Sequence, residues 1–298
     1  MLSAAIILPD EAEMPSANSL LSIKGIEWSG IFHSGKNKKN HSLNHSFIFS
    51  TIEIIPLIND LLIIADPNLC TFEYLSFAIR NGCHLSLPDK LQLTTHERRQ
   101  LVHLADEGGT FIQIQNDFLF HPFQEKIRSQ SNRIRFIEAS QSAPGKHDQL
   151  NEMLLNNLLM ILRAAGSPVR KLNVFTGTMP SSEPDVLNIH INFKNGSVAA
   201  LTLKFIGVQK AHILSLHSGG EVTNFDFIQN KISYFPDKKT NGNAPNAGHE
   251  PFKEQINDFI KNISEKNSPG FSLDDENQVF LLMEKIREKI GMNSYSMQ

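Results

Sequence analysis

Few side chains in this sequence stand in patterns that do recognisable chemistry, and the most prominent are carboxylates. The run Leu8-Pro9-Asp10-Glu11-Ala12-Glu13-Met14 follows a short apolar stretch. A dinucleotide-binding fold has its glycine-rich phosphate loop there, because glycines let the backbone touch a pyrophosphate. This run has no glycine and three carboxylates. Two unit charges ~5 Å apart repel by roughly 3 kcal/mol at an effective dielectric near 20. The segment therefore suits an acidic helix N-cap better than a phosphate cradle. His41 and His45 have helical i,i+4 spacing, but they lie in a basic, Asn-rich stretch without periodicity and no third zinc ligand is near, so no metal is expected. No Gly-x-Ser-x-Gly elbow, P-loop or Cys-x-x-Cys pattern occurs. Lys90 and His121 remain as proton-exchanging groups. Asn156 and Asn157, on an apolar helix, can offer hydrogen bonds but not general acid or base chemistry.

The elements that would position these residues alternate between strand and helix in the first part of the chain. Ala4–Leu8 and Ile26–Phe32 read as strands, with Ser19–Ile23 as the tail of a short helix between them. Phe47–Asn59 fits a turn and short helix leading into a strand at Leu61–Ala65. Asp66-Pro67-Asn68 stops that strand and starts a helix closed by Asn81-Gly82. A strand at Cys83–Leu87, a second helix ending at Gly108-Gly109 and a strand at Thr110–Gln115 complete a βαβ series. The pattern changes after His121-Pro122: Phe123–Arg128 reads as a helix, Arg133–Ser140 as a strand and Leu150–Ala165 as an apolar helix stopped by Gly166 and Pro168. Alternation at Lys171–Thr176, Val186–Phe193, Ser197–Phe205, His212–Ser218 and Val222–Ile228 predicts a mostly antiparallel sheet. Lys194-Asn195-Gly196 is a hairpin signal within it. Asp237–Gly248 reads as a loop, and Phe252–Ile263 and Asp274–Ile290 as amphipathic helices.

Bulk composition narrows the function classes. With 298 residues the chain holds two domains, expected here as 1–121 and 122–298, the last helix packing back on the first domain. A net charge of −3 gives no electrostatic footprint for nucleic acid or an anionic membrane. Cys70 and Cys83 do not make a disulfide framework, and they suit a reducing compartment. The amino-terminal residues lack a basic lead and an uninterrupted apolar span, so the expectation is a cytoplasmic protein.

The order of elements from Leu61 to Pro122 resembles the N-terminal domain of the Gfo/Idh/MocA oxidoreductases, the relatives of glucose–fructose oxidoreductase and inositol dehydrogenase. In that family a strand ending in Ala-Thr-Pro-Asn leads through a helix to Gly-Lys-His-Val and then Glu-Lys-Pro, whose lysine is catalytic. Pro67, Asn68, Gly82 and His84 match. Glu-Lys-Pro becomes Pro88-Asp89-Lys90, which puts Asp89 in the lysine's place and Lys90 one step along. Phe193–Ser197, Phe252–Ile260 and Phe271–Asp275 resemble the family's recurring C-terminal phrases, so the likeness spans nearly the whole chain. The resemblance implies an α/β protein with an NAD(P)-binding Rossmann-like domain and a second α/β domain with an open, mostly antiparallel sheet. It implies oxidation of a sugar or polyol hydroxyl, and dimers or tetramers built through the open sheet face. The family's Asp-x-Gly-x-His-x-x-Asp stretch, anchored on Gly166, falls on Glu152, Leu154, Asn156 and Leu159. Positions Pro9, Asp10, His33, Asp66, Pro67 and Asn68 are then vestiges of a cofactor site, and Lys36, Lys38 and Lys39 read as a solvated basic loop, with an NADP-type phosphate contact as the alternative. Two functions are carried forward. In one the chain has lost NAD(P) and catalysis, needs no cofactor, and binds a sugar-like ligand or a partner in a regulatory role. In the other it is an NAD- or NADP-dependent oxidoreductase with a rearranged site that uses Lys90 and His121.

Overall fold

A computed structural model describes residues 1–9, 23–33, 54–89, 91–130, 133–177, 184–236, 242–243 and 250–291. The chain divides into two compact units. One comprises Met1–Phe120 with Glu250–Gln278, and the other comprises His121–His249 with Val279 onward. The division is thus not collinear: a late segment of the chain is part of the first unit.

The first unit is built on a five-stranded parallel sheet in the order β2-β1-β3-β4-β5. Its strands are β1 (Leu2–Leu8), β2 (Ile26–His33), β3 (Leu61–Ile64), β4 (His84–Leu87) and β5 (Ile112–Ile114). Strands covered on both faces become continuous apolar runs. Ala4 to Leu8 and Leu61 to Ile64 are such runs, buried throughout. Helices α1 (Ile55–Ile58), α2 (Phe72–Arg80) and α3 (Thr95–Gly108) connect the strands. The last begins with a capping box: Glu97 N–H donates to Thr94 Oγ1 at 3.2 Å and Thr94 N–H to Glu97 Oε2 at 2.7 Å.

Two helices later in the chain begin in this unit, α6 (Pro251–Glu265) and α7 (Leu273–Lys289). Ile256, Phe259 and Ile260 of α6 share a buried cluster with Ala4, Ile6, Ile31 and Ile63 of the sheet. Phe271 and Ser272 run antiparallel beside β5, where Ile114 N–H donates to Phe271 O at 2.9 Å.

The second unit holds an eight-stranded sheet in the order β13-β12-β11-β10-β6-β9-β8-β7. Its strands are β6 (Phe136–Ser142), β7 (Val169–Gly177), β8 (Val186–Phe193), β9 (Val198–Lys204), β10 (Ala211–Ser218), β11 (Glu221–Asp226), β12 (Lys231–Phe235) and β13 (Gly242–Asn243). Only β6 and β9 pair in parallel; the other neighbours are antiparallel. Helix α4 (Phe123–Gln130) precedes β6, and α5 (Leu150–Ala165) packs on β6 and β9. Helix α5 ends at Gly166, whose φ of 56° is a left-handed cap that a side chain would strain. Burial alternates along β8, β9 and β10, so one face of each is covered and the other open.

Several element boundaries differ from the sequence expectation for reasons of pairing. The strand expected at Arg133–Ser140 runs over Phe136–Ser142, where β9 and β10 supply partners. The strand expected to reach Ile228 stops at Asp226, because Asp226 Oδ1 accepts from the N–H groups of Ile228 and Gln229 and turns the chain. Asn230, with φ 52°, completes the turn into β12, a strand the periodicity had not marked. Within the expected loop Asp237–Gly248, Gly242 and Asn243 pair with β12 as a short edge. The expected helix tail at 19–22, the Gly35–His45 loop with His41 and His45, and 47–53 lie outside the described residues.

Candidate functional site

In an open parallel sheet, ligands sit beyond the carboxyl ends of the strands, at the point where the strand order reverses. In the first unit that point lies between β1 and β3, since β2 follows one flank of β1 and β3 the other. Register gathers there residues far apart in sequence. Leu8 pairs with His33 and Ile7 with Ile64, so Pro9, His33 and Asp66 emerge side by side from three neighbouring strand ends. Asp10 and Lys90 lie outside the described residues.

Asp66 is buried, and its side chain turns back on its own loop. Its Oδ1 accepts from Asn68 N–H at 3.0 Å and from Asn68 Nδ2 at 3.1 Å. Pro67 has no N–H; Leu69 N–H donates to Asp66 O and Cys70 N–H to Pro67 O. Each N–H from Asn68 to Cys70 is therefore engaged inside the turn. That arrangement starts a helix well and leaves those groups no donor for an anion. Burial, followed by the charges of Asp66 and Glu276, pushes the Cys70 thiol up to about 12, so it stays protonated and unreactive.

Across the next strand ends, the amide of Gln115 acts as a stitch. Its Nε2 donates to Ser86 O and Ser86 Oγ, each at 3.2 Å, and reaches Ile64 O at 3.4 Å. Asp89 follows β4 at half-burial. Close by in sequence, Arg98 of α3 folds back to give Nη2 to Leu91 O at 2.9 Å and Nε to Leu93 O at 3.2 Å. Its Nη1 donates to Glu276 Oε2 of α7, both side chains being buried. Burial pushes the Glu276 carboxyl up to about 7 against the opposing pull of Arg98. Removing one partner of such a pair strands a buried charge. The pair fastens the segment that carries Asp89 and the start of α7 to α3.

The second unit contains a different polar cluster. His121 accepts from Phe123 N–H through Nδ1 at 3.2 Å, and its ring lies 4.5 Å from Phe123 and 5.1 Å from Phe227. His212 stacks on the same Phe227 at 4.6 Å. Behind it, Asn157 Nδ2 donates to Met153 O at 2.7 Å and to Gln141 Oε1 at 2.5 Å. Asn157 Oδ1 therefore faces His212 Nε2 at 3.3 Å as an acceptor, which assigns the ring proton to Nε2. Burial first, and then the neighbouring His121, pulls His212 down to about 4, with Asp226 opposing. Near neutrality this imidazole is uncharged.

The structure thus places the sequence-derived residues in separate groups. Pro9, His33, Asp66, Pro67 and Asn68 share the carboxyl edge of the parallel sheet. His121 belongs with His212, and Asn156 is half-buried while its neighbour Asn157 makes the inward contacts. His212, Gln141, Gln115 and the Arg98–Glu276 pair escaped sequence reasoning. His212 alone had a readable signal, since it shares strand parity with the inward Leu214 and Leu216.

No family profile matches the chain, and no curated protein matches it. Solved structures do match over nearly its full length. A UDP-N-acetylglucosamine 3-dehydrogenase from Acidithiobacillus ferrooxidans is 16% identical with a TM-score of 0.75, each chain being covered to 98%. A dehydrogenase from Clostridium difficile is 14% identical with a TM-score of 0.76, over 96% of this chain and 99% of that one. An aldose–aldose oxidoreductase from Caulobacter crescentus, complexed with glycerol, is 12% identical with a TM-score of 0.74, over 97% of each. The chain has the fold of the Gfo/Idh/MocA-type dehydrogenases and oxidoreductases, as the order of its elements implied.

Proposed function

We propose that this protein keeps the Gfo/Idh/MocA fold but has given up NAD(P) binding and hydride transfer, and serves as a binding or regulatory protein for a sugar-like ligand or a protein partner. The observation that carries this reading is the lack of glycine after β1, where a phosphate loop belongs, and the closed turn after β3 adds to it. A dinucleotide there needs free N–H groups and close backbone approach. The donors from Asn68 to Cys70 are engaged internally, and the sequence from Pro9 to Lys24 contains no glycine. The residues present do not fit the cofactor. Asp89 stands where the resemblance puts a catalytic lysine, and a carboxylate cannot supply the positive charge that eases removal of a hydroxyl proton. The open face of the eight-stranded sheet, which carries the exposed Phe175 and Ile213, is the surface for a second copy of the chain.

A second reading rests on the neighbours: over nearly the whole chain the fold is that of dehydrogenases and oxidoreductases. Under it, Lys90 and His121 serve a rearranged NAD- or NADP-dependent site acting on a sugar or polyol hydroxyl. Melting curves of the intact protein with millimolar NAD, NADH, NADP and NADPH separate the two. A ligand at 100 times its Kd adds ~2.7 kcal/mol, a shift of several degrees in a chain this long. The expected result is no shift with any of the four. A clear shift, followed by sugar-dependent reduction of the bound nucleotide, overturns the first reading in favour of the second.

A further inference from the structure

We infer that the outer edge of β7 pairs with β7 of a second copy of this chain, the two strands running antiparallel about Val174. This edge is a different surface from the open sheet face. Strand β7 closes one side of the eight-stranded sheet, and among the described residues β8 is its only strand partner. An edge strand of this length presents a row of main-chain groups that a further strand can use.

The direction of those groups follows from the bonds of the neighbouring strands. Phe193 N–H donates to Ser197 O at 3.0 Å and Phe205 N–H to Asp185 O at 2.8 Å, so the odd-numbered residues of β8 turn their main chain toward β9. The even-numbered Asn188, His190 and Asn192 therefore face β7, where they oppose Phe175, Asn173 and Lys171. Leu172, Val174 and Thr176 alternate with these and turn their N–H and C=O groups outward. Two antiparallel copies centred on Val174 set the valines opposite each other, and Leu172 opposite Thr176 of the second copy. Each of these is a closely spaced pair, which exchanges two main-chain hydrogen bonds.

The irregular end of the strand fixes that centre. Register slips between Val169 and Lys171, so the regular stretch runs from Lys171 to Gly177 and Val174 is its midpoint. Charge favours the antiparallel sense. Arg170 and Lys171 are the charged residues of the strand, and both lie at its amino end. Antiparallel pairing sets Lys171 opposite the uncharged Gly177 and holds the two lysines ~20 Å apart, beyond the Debye length of ~8–10 Å. A parallel copy would set lysine beside lysine. Phe175, 59% exposed, comes to lie opposite Asn173 of the second copy. A contact one strand wide buries well under the ~800 Å² per partner of a stable complex, so a Kd on the order of 0.1 mM is expected.

Sedimentation equilibrium of the intact Ile213→Asp protein, which removes the open-face contact, tests this edge between about 10 µM and about 1 mM. A reversible monomer–dimer equilibrium is expected. Amide hydrogen exchange should slow with concentration at Leu172, Val174 and Thr176, and stay constant at Asn173 and Phe175, which face β8 throughout. Val174→Pro removes an outward N–H that β8 does not use, so the sheet persists and the protein should stay a monomer at about 1 mM. Val174→Lys sets like charges opposite each other, and it should have the same effect should the proline variant fail to fold. A monomer at about 1 mM without these changes overturns the inference, as does a dimer that both variants leave intact. Protection of Leu172, Val174 and Thr176 already at about 10 µM would mean that the chain itself covers the edge, and overturns it too.

Discussion

At the scale of single residues, His212 shows how a fold changes the chemistry of a side chain. An imidazole in water has an ordinary value of 6.5, and burial here brings it to about 4. The depressed value means that the folded form holds the ring neutral. The stability this contributes is fully present above pH 6.5 and is lost as pH falls from there toward 4, about 3 kcal/mol in all. His212→Gln keeps a donor for Asn157 Oδ1 without a titrating group. Urea unfolding at pH 7 and pH 4.5 should therefore show a smaller loss on acidification in the variant than in the wild type. Equal losses would mean that His212 does not titrate as its burial requires. The same burial argument makes His212 a neutral internal donor to Asn157 and not a proton shuttle at neutral pH.

At the scale of elements, the segment Glu250–Gln278 is the unexpected part of the first unit. The sequence expectation placed it in the second domain, with only the last helix returning. Ile256, Phe259 and Ile260 of α6 lie in the same cluster as the central strands. Burial of three such side chains stabilises by roughly 6 kcal/mol, comparable with the whole net stability of a domain. A fragment ending at residue 121 should therefore fail to fold by circular dichroism and hydrogen exchange. Joining 250–278 to it through a flexible linker should restore cooperative unfolding. A cooperatively folded 1–121 fragment would show that α6 is an accessory and not part of the core. Element boundaries were legible in the sequence where a local signal decided them: Leu150–Ala165 ends at Gly166 as expected. They were not legible at β12, whose existence depends on the Asp226 turn and a partner strand.

At the scale of the whole molecule, the open face of the second sheet bears on association. Eight strands spaced ~4.8 Å apart present roughly 800–900 Å², close to the ~800 Å² per partner of a stable complex. Phe175 and Ile213 on that face are 59% and 38% exposed. Sedimentation velocity at micromolar concentration should give twice the chain mass, and Ile213→Asp should return it to a monomer with unchanged melting cooperativity. A wild-type monomer at every accessible concentration would remove this surface from consideration. Among the described residues no helix is long and apolar enough to cross a membrane.

The sequence by itself determined the fold class. Near-continuous apolar runs at Ala4–Leu8 and Leu61–Ala65 and alternating runs at Val186–Phe193 and Ser197–Phe205 are local properties, and the two periods distinguish a buried parallel sheet from a half-open antiparallel one. It also determined that no glycine lies between Pro9 and Lys24, which needs no coordinates. Tertiary structure alone decided which polar groups are already engaged. Asp66 and Asn68 read equally well as a ligand's contacts or as a self-contained turn until the N–H groups from Asn68 to Cys70 are traced to their acceptors. His121 and His212 are 91 positions apart in the sequence, and they meet only because both rings pack on Phe227. Hydrogen-bond satisfaction and burial depend on neighbours distant in the chain, which a local pattern of residue types does not encode.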